Sequence, residues 1–198
     1  MSLPGVVRAD VSQAERVSGL VALAFQELPA TRWLVPDDAE RPRRLKANFR
    51  IFVEYAFEHG HVEVSDDGSG AAVWVHHNGS PLPPPPDYDE RLIFVTGPHL
   101  KRFRILDELF DANHPHDVVH HHLAFLAVQP DRQGEGIGGH LMEQHHRRLD
   151  AAGVGAYLEA SSAEARALYL RHGYVDRGEP FYLPDGPPVW PMWRDPAS

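Results

Sequence analysis

Apolar residues in the first half of the chain recur at two spacings. Recurrence every three or four positions indicates an amphipathic helix, whereas alternation of apolar and polar residues indicates a half-buried strand. These spacings predict, in chain order, a strand, two helices and two further strands over residues 6–9, 13–28, 39–58, 61–65 and 71–77. Ser12 and Glu15 have the spacing of a capping box and predict the start of the first helix. The turn residues at 66–70 make the last two strands a predicted hairpin.

The second half alternates more regularly between strand and helix patterns. Its predicted elements are strand, helix, strand, helix and strand over residues 118–128, 136–152, 155–160, 163–172 and from 174 onward. A helix is predicted after Pro98, a closing strand around 189–193, and an extended surface loop for the polyproline run at 81–86. This close alternation predicts an α/β layer. Because the signals on both sides of the proline run fit one sheet, we expect residues 1–198 to form a single domain.

Composition and charge narrow the classes of function. Nineteen lysines and arginines stand against 28 aspartates and glutamates, a net charge of −9. This balance argues against a nucleic-acid partner, because phosphate binding needs clustered basic residues. The absence of cysteine excludes disulfides, cysteine-ligated zinc and thiol nucleophiles. No apolar run approaches the length of a membrane span, and the first residues lack the pattern of a secretory signal, so we expect a cytoplasmic protein with no membrane partner.

The strongest chemical signal is a glycine-dense turn between a strand and a helix. Residues 133–139 contain four glycines, follow an apolar strand that ends at Val128, and open the next helix. Glycines let the backbone approach a ligand, and a helix N-terminus presents free N–H groups, so the turn predicts a pyrophosphate site. No Lys-Ser or Lys-Thr follows, which argues against a nucleoside-triphosphate loop. Too little chain remains after the turn for a dinucleotide half-fold and its partner.

Two motifs in this order resemble the GNAT superfamily of acetyl-CoA-dependent N-acetyltransferases. The run Gln133-Gly-Glu-Gly136-Ile-Gly138 matches the family's acetyl-CoA loop. Residues 157–162, followed by residues 165–174, resemble the family's second motif, in which a strand and a short helix carrying Leu-Tyr precede Gly-Tyr. The resemblance covers residues 118–178 specifically, and it departs from the family at 163–164, where many members carry Asn. It implies a single-domain fold with a central mixed, mostly antiparallel sheet, flanking helices and a splayed strand pair that binds acetyl-CoA.

The same resemblance implies which residues contact acetyl-CoA, the expected co-substrate. The main chain at the end of the strand is expected to pair with the pantetheine arm and contact the thioester carbonyl. The glycine turn is expected to hold the pyrophosphate. The cofactor-binding residues are then Leu126, Ala127, Val128, Gln133, Gly134, Glu135, Gly136, Ile137, Gly138 and Gly139.

Acetyl transfer also needs a neutral amine and a proton for the departing thiolate. Tyr169 matches the family tyrosine that gives this proton, and its alternative role is aromatic packing. His120 and His122 share one face of the predicted strand and are candidates to relay the ammonium proton through water. Only His122 aligns with a histidine of the similar serotonin N-acetyltransferase branch, and the alternative is a polar, partly exposed strand end. Glu159 is a competing base, because relatives that acetylate ribosomal proteins carry a glutamate on this strand.

Fourteen histidines are the unusual feature of the composition. Imidazole is a common zinc ligand, and four histidines cluster in the sequence before the glycine turn: His114, His116, His120 and His122. Their spacing is typical of a loop, and no cysteine assists them, so we expect no functional metal. The histidine pairs at 76–77 and 145–146 are predicted to lie at the solvated surface.

The acceptor side is the least defined part of the sequence. Trp33 lies on a predicted loop between prolines and is the candidate wall of a substrate pocket, whereas Phe49 and Phe52 fit buried packing. The acidic balance favours a cationic acceptor. We therefore expect direct acetyl transfer to a primary amine of a small molecule. The alternatives are a non-catalytic acyl-CoA-binding sensor and a protein or peptide N-acetyltransferase, and a homodimer is as compatible with the sequence as a monomer.

Overall fold

The described part of the chain, residues 3–197 of a computed structural model, is built around one eight-stranded sheet with helices on both faces. The strands are β1 (Val6–Arg8), β2 (Gly60–Ser65), β3 (Gly70–Asn78), β4 (Val119–Val128), β5 (Gly155–Ala160), β6 (Val175–Asp176), β7 (Phe181–Tyr182) and β8 (Pro188–Arg194). The helices are α1 (Ala14–Phe25), α2 (Pro29–Leu34), α3 (Arg41–His59), α4 (Tyr88–Thr96), α5 (Leu100–Asn113), α6 (Ile137–Ala152) and α7 (Ala163–Arg171). Across this described range, none of the helices has the length and apolar character needed to cross a bilayer.

The order of the strands determines where the sheet opens. Neighbours run β1, β2, β3, β4, β5, β8 and β6, and β7 pairs with β8. Every pair is antiparallel except β4 with β5, which is parallel and joins His120–His122 to Gly155–Tyr157. Beyond that point, in the described residues, β4 pairs with β3 alone and β5 with β8 alone. The expected mixed, mostly antiparallel sheet with a splayed strand pair is therefore confirmed.

A bulge in β4 sets which of its side chains share a face. Val73 of β3 lies opposite Phe125, whereas the next residue, Trp74, lies opposite Leu123. One residue of β4 is therefore extra in the ladder, and an extra residue bends a strand and increases its twist. The bulge lies just beyond His122, where β4 leaves β5, so the bend and the opening of the sheet coincide.

Two apolar layers hold the sheet between them. On one face α1 and α3 pack on the central strands through buried side chains that include Val21, Val53 and Val73. On the other face α6 and α7 pack through residues that include Met142 and Leu158. Burying one such side chain contributes about 1.5–3 kcal/mol to stability. Because such interiors are closely packed, the two layers hold β4 and β5 in place where the strands diverge.

The first helix begins differently from its prediction. The 3₁₀ turn Val11–Gln13 precedes α1, and Asp10 provides the cap instead of Ser12. Asp10 Oδ1 accepts a hydrogen bond from the Ser12 N–H at 2.8 Å, and Gln13 Oε1 accepts one from the Asp10 N–H at 3.1 Å. The capping box predicted for Ser12 and Glu15 is wrong, because the extra turn moves the cap two residues upstream.

Prolines divide two predicted segments. The helix predicted to reach residue 28 ends at Phe25, and Pro29 opens the separate helix α2, so Trp33 is helical and does not lie on a loop. Proline suits the first position of a helix because its missing N–H would have no acceptor there. A second division at Gly97-Pro98 separates α4 from α5, and the sequence predicted only the second of these helices.

Candidate active site

The turn between β4 and α6 is shaped by two glycines in left-handed conformations. Gly134 and Gly136 have φ angles of +85° and +86°, a region that favours glycine. A Cβ at Gly134 would meet no atom within 4 Å, so the space beside this backbone is open. The helix α6 begins directly after Gly136, and the first N–H groups of a helix have no acceptor inside it. The turn therefore offers donors, a partial positive charge and room for an anion.

The end of β4 forms the other part of this edge. Residues 126–128 follow its divergence from β5, so their main-chain groups on that side have no strand partner in the described chain. Gln133 folds back toward this end, and its Nε2 donates to the Val128 carbonyl at 3.2 Å. Glu135 is held by Arg132, whose Nε donates to Glu135 Oε2 at 2.8 Å. The strand end and the turn thus line one side of the gap between β4 and β5.

The first turn of α6 packs tightly against its neighbours. The Ile137 side chain is buried in the layer under α6. A Cβ at Gly138 would lie 3.4 Å from Leu126, in ordinary contact, whereas one at Gly139 would lie 2.8 Å from His172 Nε2 and would force a shift. These small residues let α6 approach β4 and the end of α7, which brings the start of the helix to the gap.

His122 and Glu159 meet where β4 and β5 begin to diverge. His122 Nε2 lies 2.8 Å from Glu159 Oε2, and the two side chains are 18% and 6% exposed. The other carboxylate oxygen, Glu159 Oε1, is buried and has no hydrogen-bond partner within residues 3–197. A buried carboxylate beside an imidazole stabilises the protonated ring through a charge-assisted bond.

Other histidines surround this pair on the same face. His120 is fully buried, with Nδ1 2.9 Å from the Val118 carbonyl oxygen and Nε2 3.2 Å from His114 Nε2. Burial lowers the pKa of His120 to about 4, and burial together with neighbouring imidazoles lowers the pKa of His77 to about 3. Such a ring stays neutral near pH 7 and retains a captured proton poorly. His122 lies at hydrogen-bond distance from a carboxylate, whereas His120 contacts a carbonyl oxygen and another imidazole.

Tyr169, on α7, lies in the apolar layer under α6 and α7. Its ring contacts Tyr174 at a centroid distance of 5.8 Å, and its hydroxyl has no hydrogen-bond partner in the described chain. Burial, and secondarily the charge of Glu159, raises the pKa of Tyr169 above its ordinary range. The phenol therefore keeps its proton at neutral pH.

Trp33 is engaged elsewhere. Its Nε1 donates to the Pro184 carbonyl at 2.7 Å, and the Arg102 guanidinium lies 5.4 Å from its ring centroid. Within the described residues, no hydrogen bond or ring contact joins Trp33 to His122, Glu159 or Tyr169. Trp33 braces the segment before β8 against α2 and α5, and its role toward a substrate stays a prediction.

Sequence reasoning missed two members of the site. Tyr157 of β5 lies with its ring 5.5 Å from that of His122, and its hydroxyl donates to the Asn113 carbonyl at 3.3 Å. His77 stacks on His120 at 4.6 Å because β3 and β4 pair these two positions. The alternation along each strand is visible in the sequence, but only the register between the strands brings the rings together.

The predicted surface position of two histidine pairs is wrong. His145 and His146 of α6 are buried, and His76 and His77 of β3 are half-buried. His146 Nε2 lies 3.1 Å from the Tyr174 hydroxyl, and His76 stacks on His121 at a centroid distance of 3.7 Å. These imidazoles are buried because each finds a polar or aromatic partner, which offsets the cost of removing its nitrogens from water.

Two overlapping groups in the site have the spacing of metal ligands. Their ligand atoms lie within 4.8 Å of one another, and they comprise His77, His114 and His120, and His114, His122 and Glu159. In both groups some of these atoms already bond to each other, as in the contacts of His114 with His120 and of His122 with Glu159. The buried ligand atoms of these two groups therefore have hydrogen-bond partners among the described residues, except for Glu159 Oε1.

Part of this arrangement matches a known family model. Residues 105–176 match the family model described as an acetyltransferase (GNAT) domain. This stretch of the chain includes the glycine turn, Glu159 and Tyr169. A solved structure from Corynebacterium glutamicum, described as histone acetyltransferase HPA2 and related acetyltransferase, is 25% identical in sequence. It is similar over 100% of this chain and 98% of its own, with a TM-score of 0.73.

Two further structures share the fold at lower identity. Polyamine N-acetyltransferase from Drosophila melanogaster, which forms N-acetylagmatine, matches 96% of this chain and 99% of its own at 19% identity, with a TM-score of 0.61. The NatC complex bound to Gag peptide and CoA matches 98% of this chain and 99% of its own at 14% identity, with a TM-score of 0.56. One of these relatives acts on a small polyamine and the other holds a peptide.

Proposed function

We propose that the chain is a GNAT N-acetyltransferase and that it transfers an acetyl group from acetyl-CoA directly to a primary amine of a small molecule. One observation carries the proposal: His122 Nε2 lies 2.8 Å from Glu159 Oε2 beside the gap between β4 and β5. An amine is protonated at neutral pH and must lose a proton before its nitrogen can attack. A histidine backed by a carboxylate is suited to that step.

The residues along the gap fit acetyl-CoA. The open space at Gly134 and the N–H groups at the start of α6 suit a pyrophosphate. The main chain of residues 126–128, which has no strand partner on the β5 side in the described chain, suits the amides of the pantetheine arm. When bound, acetyl-CoA supplies the acetyl group in activated form, as a thioester.

His122 takes the proton of the ammonium, directly or through one water. Glu159 stabilises the resulting imidazolium through the bond to Nε2. General base catalysis of this kind contributes about 10²–10⁴-fold to a rate.

Tyr169 holds the proton that the leaving group needs. Burial keeps its hydroxyl protonated, and no partner within residues 3–197 competes for that proton. Tyr169 donates it to the sulfur that leaves as a thiolate. Because the chain has no cysteine, acetyl transfer proceeds without a cysteine thioester on the protein.

A cationic amine suits the charge of the protein and of the site. The net charge is −9, and Glu159 is the carboxylate nearest to the base. The Drosophila relative acts on a polyamine, which supports the same class of acceptor. The contrasting acceptor is the N-terminus of a peptide, as in the complex that holds a Gag peptide.

A thiol-release assay tests the proposal. Purified protein is incubated with acetyl-CoA and two matched panels, one of small primary amines including diamines and one of short peptides. We expect release of CoA that requires a small amine and falls at least tenfold in His122→Gln and Tyr169→Phe. His59→Gln at the end of α3 is the control, because His59 has no contact with His122, and it retains full activity.

Two outcomes would overturn the proposal. Tight binding of acetyl-CoA without release over the amine panel would identify a sensor module. Release that requires peptides and ignores the small amines would identify a peptide N-acetyltransferase.

A further inference from the structure

A second histidine cluster lies on the opposite face of the sheet from His122. It comprises His61 and Glu63 of β2 and His145 of α6, and we refer to these three residues as the β2–α6 cluster. Their exposed fractions are 4%, 2% and 2%. Alternation along the strands explains the separation, because His121 points to this face while its neighbours His120 and His122 point to the candidate active site.

Three ligand atoms of the β2–α6 cluster converge on one point. His61 Nε2 lies 3.8 Å and His145 Nδ1 lies 3.9 Å from Glu63 Oε2, and each of the three residues offers a ligand atom within 4.8 Å of one from each of the others. Two of them, His61 Nε2 and Glu63 Oε2, are buried with no hydrogen-bond partner in the described chain. Buried polar atoms are costly when unpaired, so these orphaned atoms indicate a missing partner.

Each member of the cluster is held from behind by a polar contact. His61 Nδ1 lies 2.8 Å from His76 Nε2, and His145 Nε2 lies 2.8 Å from His121 Nδ1. Histidines that ligate a metal are oriented in this way by a contact at their other ring nitrogen.

We propose that the β2–α6 cluster binds one Zn²⁺ through His61 Nε2, Glu63 Oε2 and His145 Nδ1, with water as the fourth ligand. Two imidazoles and one carboxylate form a known ligand set for zinc that needs no cysteine. Tetrahedral zinc with bonds of 2.0–2.1 Å requires ligand atoms about 3.4 Å apart. The separations of 3.8 and 3.9 Å must therefore close by about 0.4 and 0.5 Å, a change that side-chain rotation can supply.

Arg148 marks the access route to this site. Its Nη1 lies 2.5 Å from Glu63 Oε1 and 3.4 Å from His145 Nδ1, so it neutralises the carboxylate while no cation is bound. The Arg148 side chain is 55% exposed, and it can withdraw into solvent when a divalent cation enters. Zinc there would link β2 to α6, in place of the ion pair that Glu63 and Arg148 form between the same two elements.

The groups in the candidate active site are weaker candidates for zinc. Members of those groups are partly exposed, and several of their ligand atoms already bond to each other. The β2–α6 cluster is fully buried and keeps two atoms unpaired. This contrast provides a matched control, since His114 belongs to the active-site groups alone.

Equilibrium dialysis of the chelator-treated full-length protein with Zn²⁺ tests the site, with Co²⁺ as a spectroscopic probe. We expect one tightly bound Zn²⁺ per chain, visible absorption of tetrahedral Co²⁺, and a rise in melting temperature on adding zinc. Glu63→Gln and His145→Asn each lose this binding, whereas His114→Asn retains it. His76→Gln, which removes only the support of His61, weakens zinc binding by about 10- to 100-fold.

Circular dichroism and acetyl-CoA binding show whether each variant is folded. Absence of zinc binding by the wild-type protein would overturn the proposal. Retention of zinc by a folded Glu63→Gln, or its loss in a folded His114→Asn alone, would overturn it as well. The Co²⁺ spectrum of the wild-type protein tests the geometry even where a variant fails to fold.

Discussion

Replacing Glu159 by glutamine tests how the base is built. Glutamine keeps the length of the side chain but removes the charge that faces His122 Nε2 at 2.8 Å. A hydrogen bond to a charged group contributes about 1.5–3 kcal/mol when buried, and Glu159 is 6% exposed. Since 1.36 kcal/mol is a factor of ten in rate, kcat/KM should fall by about ten- to a hundredfold in Glu159→Gln.

A double-mutant cycle separates this role from that of a direct base. His122→Gln alone should cost about 10²–10⁴-fold, the range of general base catalysis. If Glu159 acts through His122, then adding Glu159→Gln to His122→Gln costs little more, because the bond it supports is already lost. Initial rates at saturating acetyl-CoA and varied amine give the four kcat/KM values. The reasoning is refuted if Glu159→Gln costs more than His122→Gln, or if the two losses multiply.

Three further results are expected. Tyr169→Phe lowers kcat with little change in KM, because the hydroxyl acts on the leaving sulfur; an unchanged kcat would leave Tyr169 a packing residue. Gly134→Ala raises the KM for acetyl-CoA. Gly153→Ala is the control, because Gly153 also has a positive φ and open space around it, so an alanine there carries the same strain of about 1–2 kcal/mol. We expect Gly153→Ala to leave the KM for acetyl-CoA unchanged. Stability falls as pH drops from about 6.5 toward 4, because the pKa of His120 is about 4 in the folded chain and about 6.5 when unfolded, so the unfolded chain binds more protons. Denaturant unfolding at pH 7 and pH 5 measures this loss. The free energy of unfolding should fall by up to about 1.4 kcal/mol per pH unit for each such histidine, and an equal free energy at the two pH values would contradict the prediction.

The sequence predicts the part of the site that is local in the chain. The glycine turn shapes its own backbone at Gly134 and Gly136, and the start of α6 follows within two residues, so a short motif contains the whole signal. The same holds for Tyr169, whose place depends on the short helix α7 and the turn after it. Helix and strand periods recovered most elements because each face of the sheet is covered by an apolar layer.

The histidines show where sequence reasoning ends. Whether His77 meets His120 depends on the register between β3 and β4, and whether His121 meets His145 depends on how α6 crosses the sheet. Both are contacts between distant parts of the chain, and no local spacing encodes them. Polar residues are usually exposed, so the sequence predicts a surface position for the histidines at 145–146, although both are buried.

Following the acetyl group itself tests the central claim most directly. The protein is mixed with acetyl-CoA labelled in the acetyl group and with the small amine that releases CoA fastest, and the label is traced by mass spectrometry. We predict that labelled acetyl amine appears in equal amount to the CoA released, with no label on the protein at any time. Label that stays on the protein, or CoA release without labelled amine, would contradict direct transfer between the two substrates.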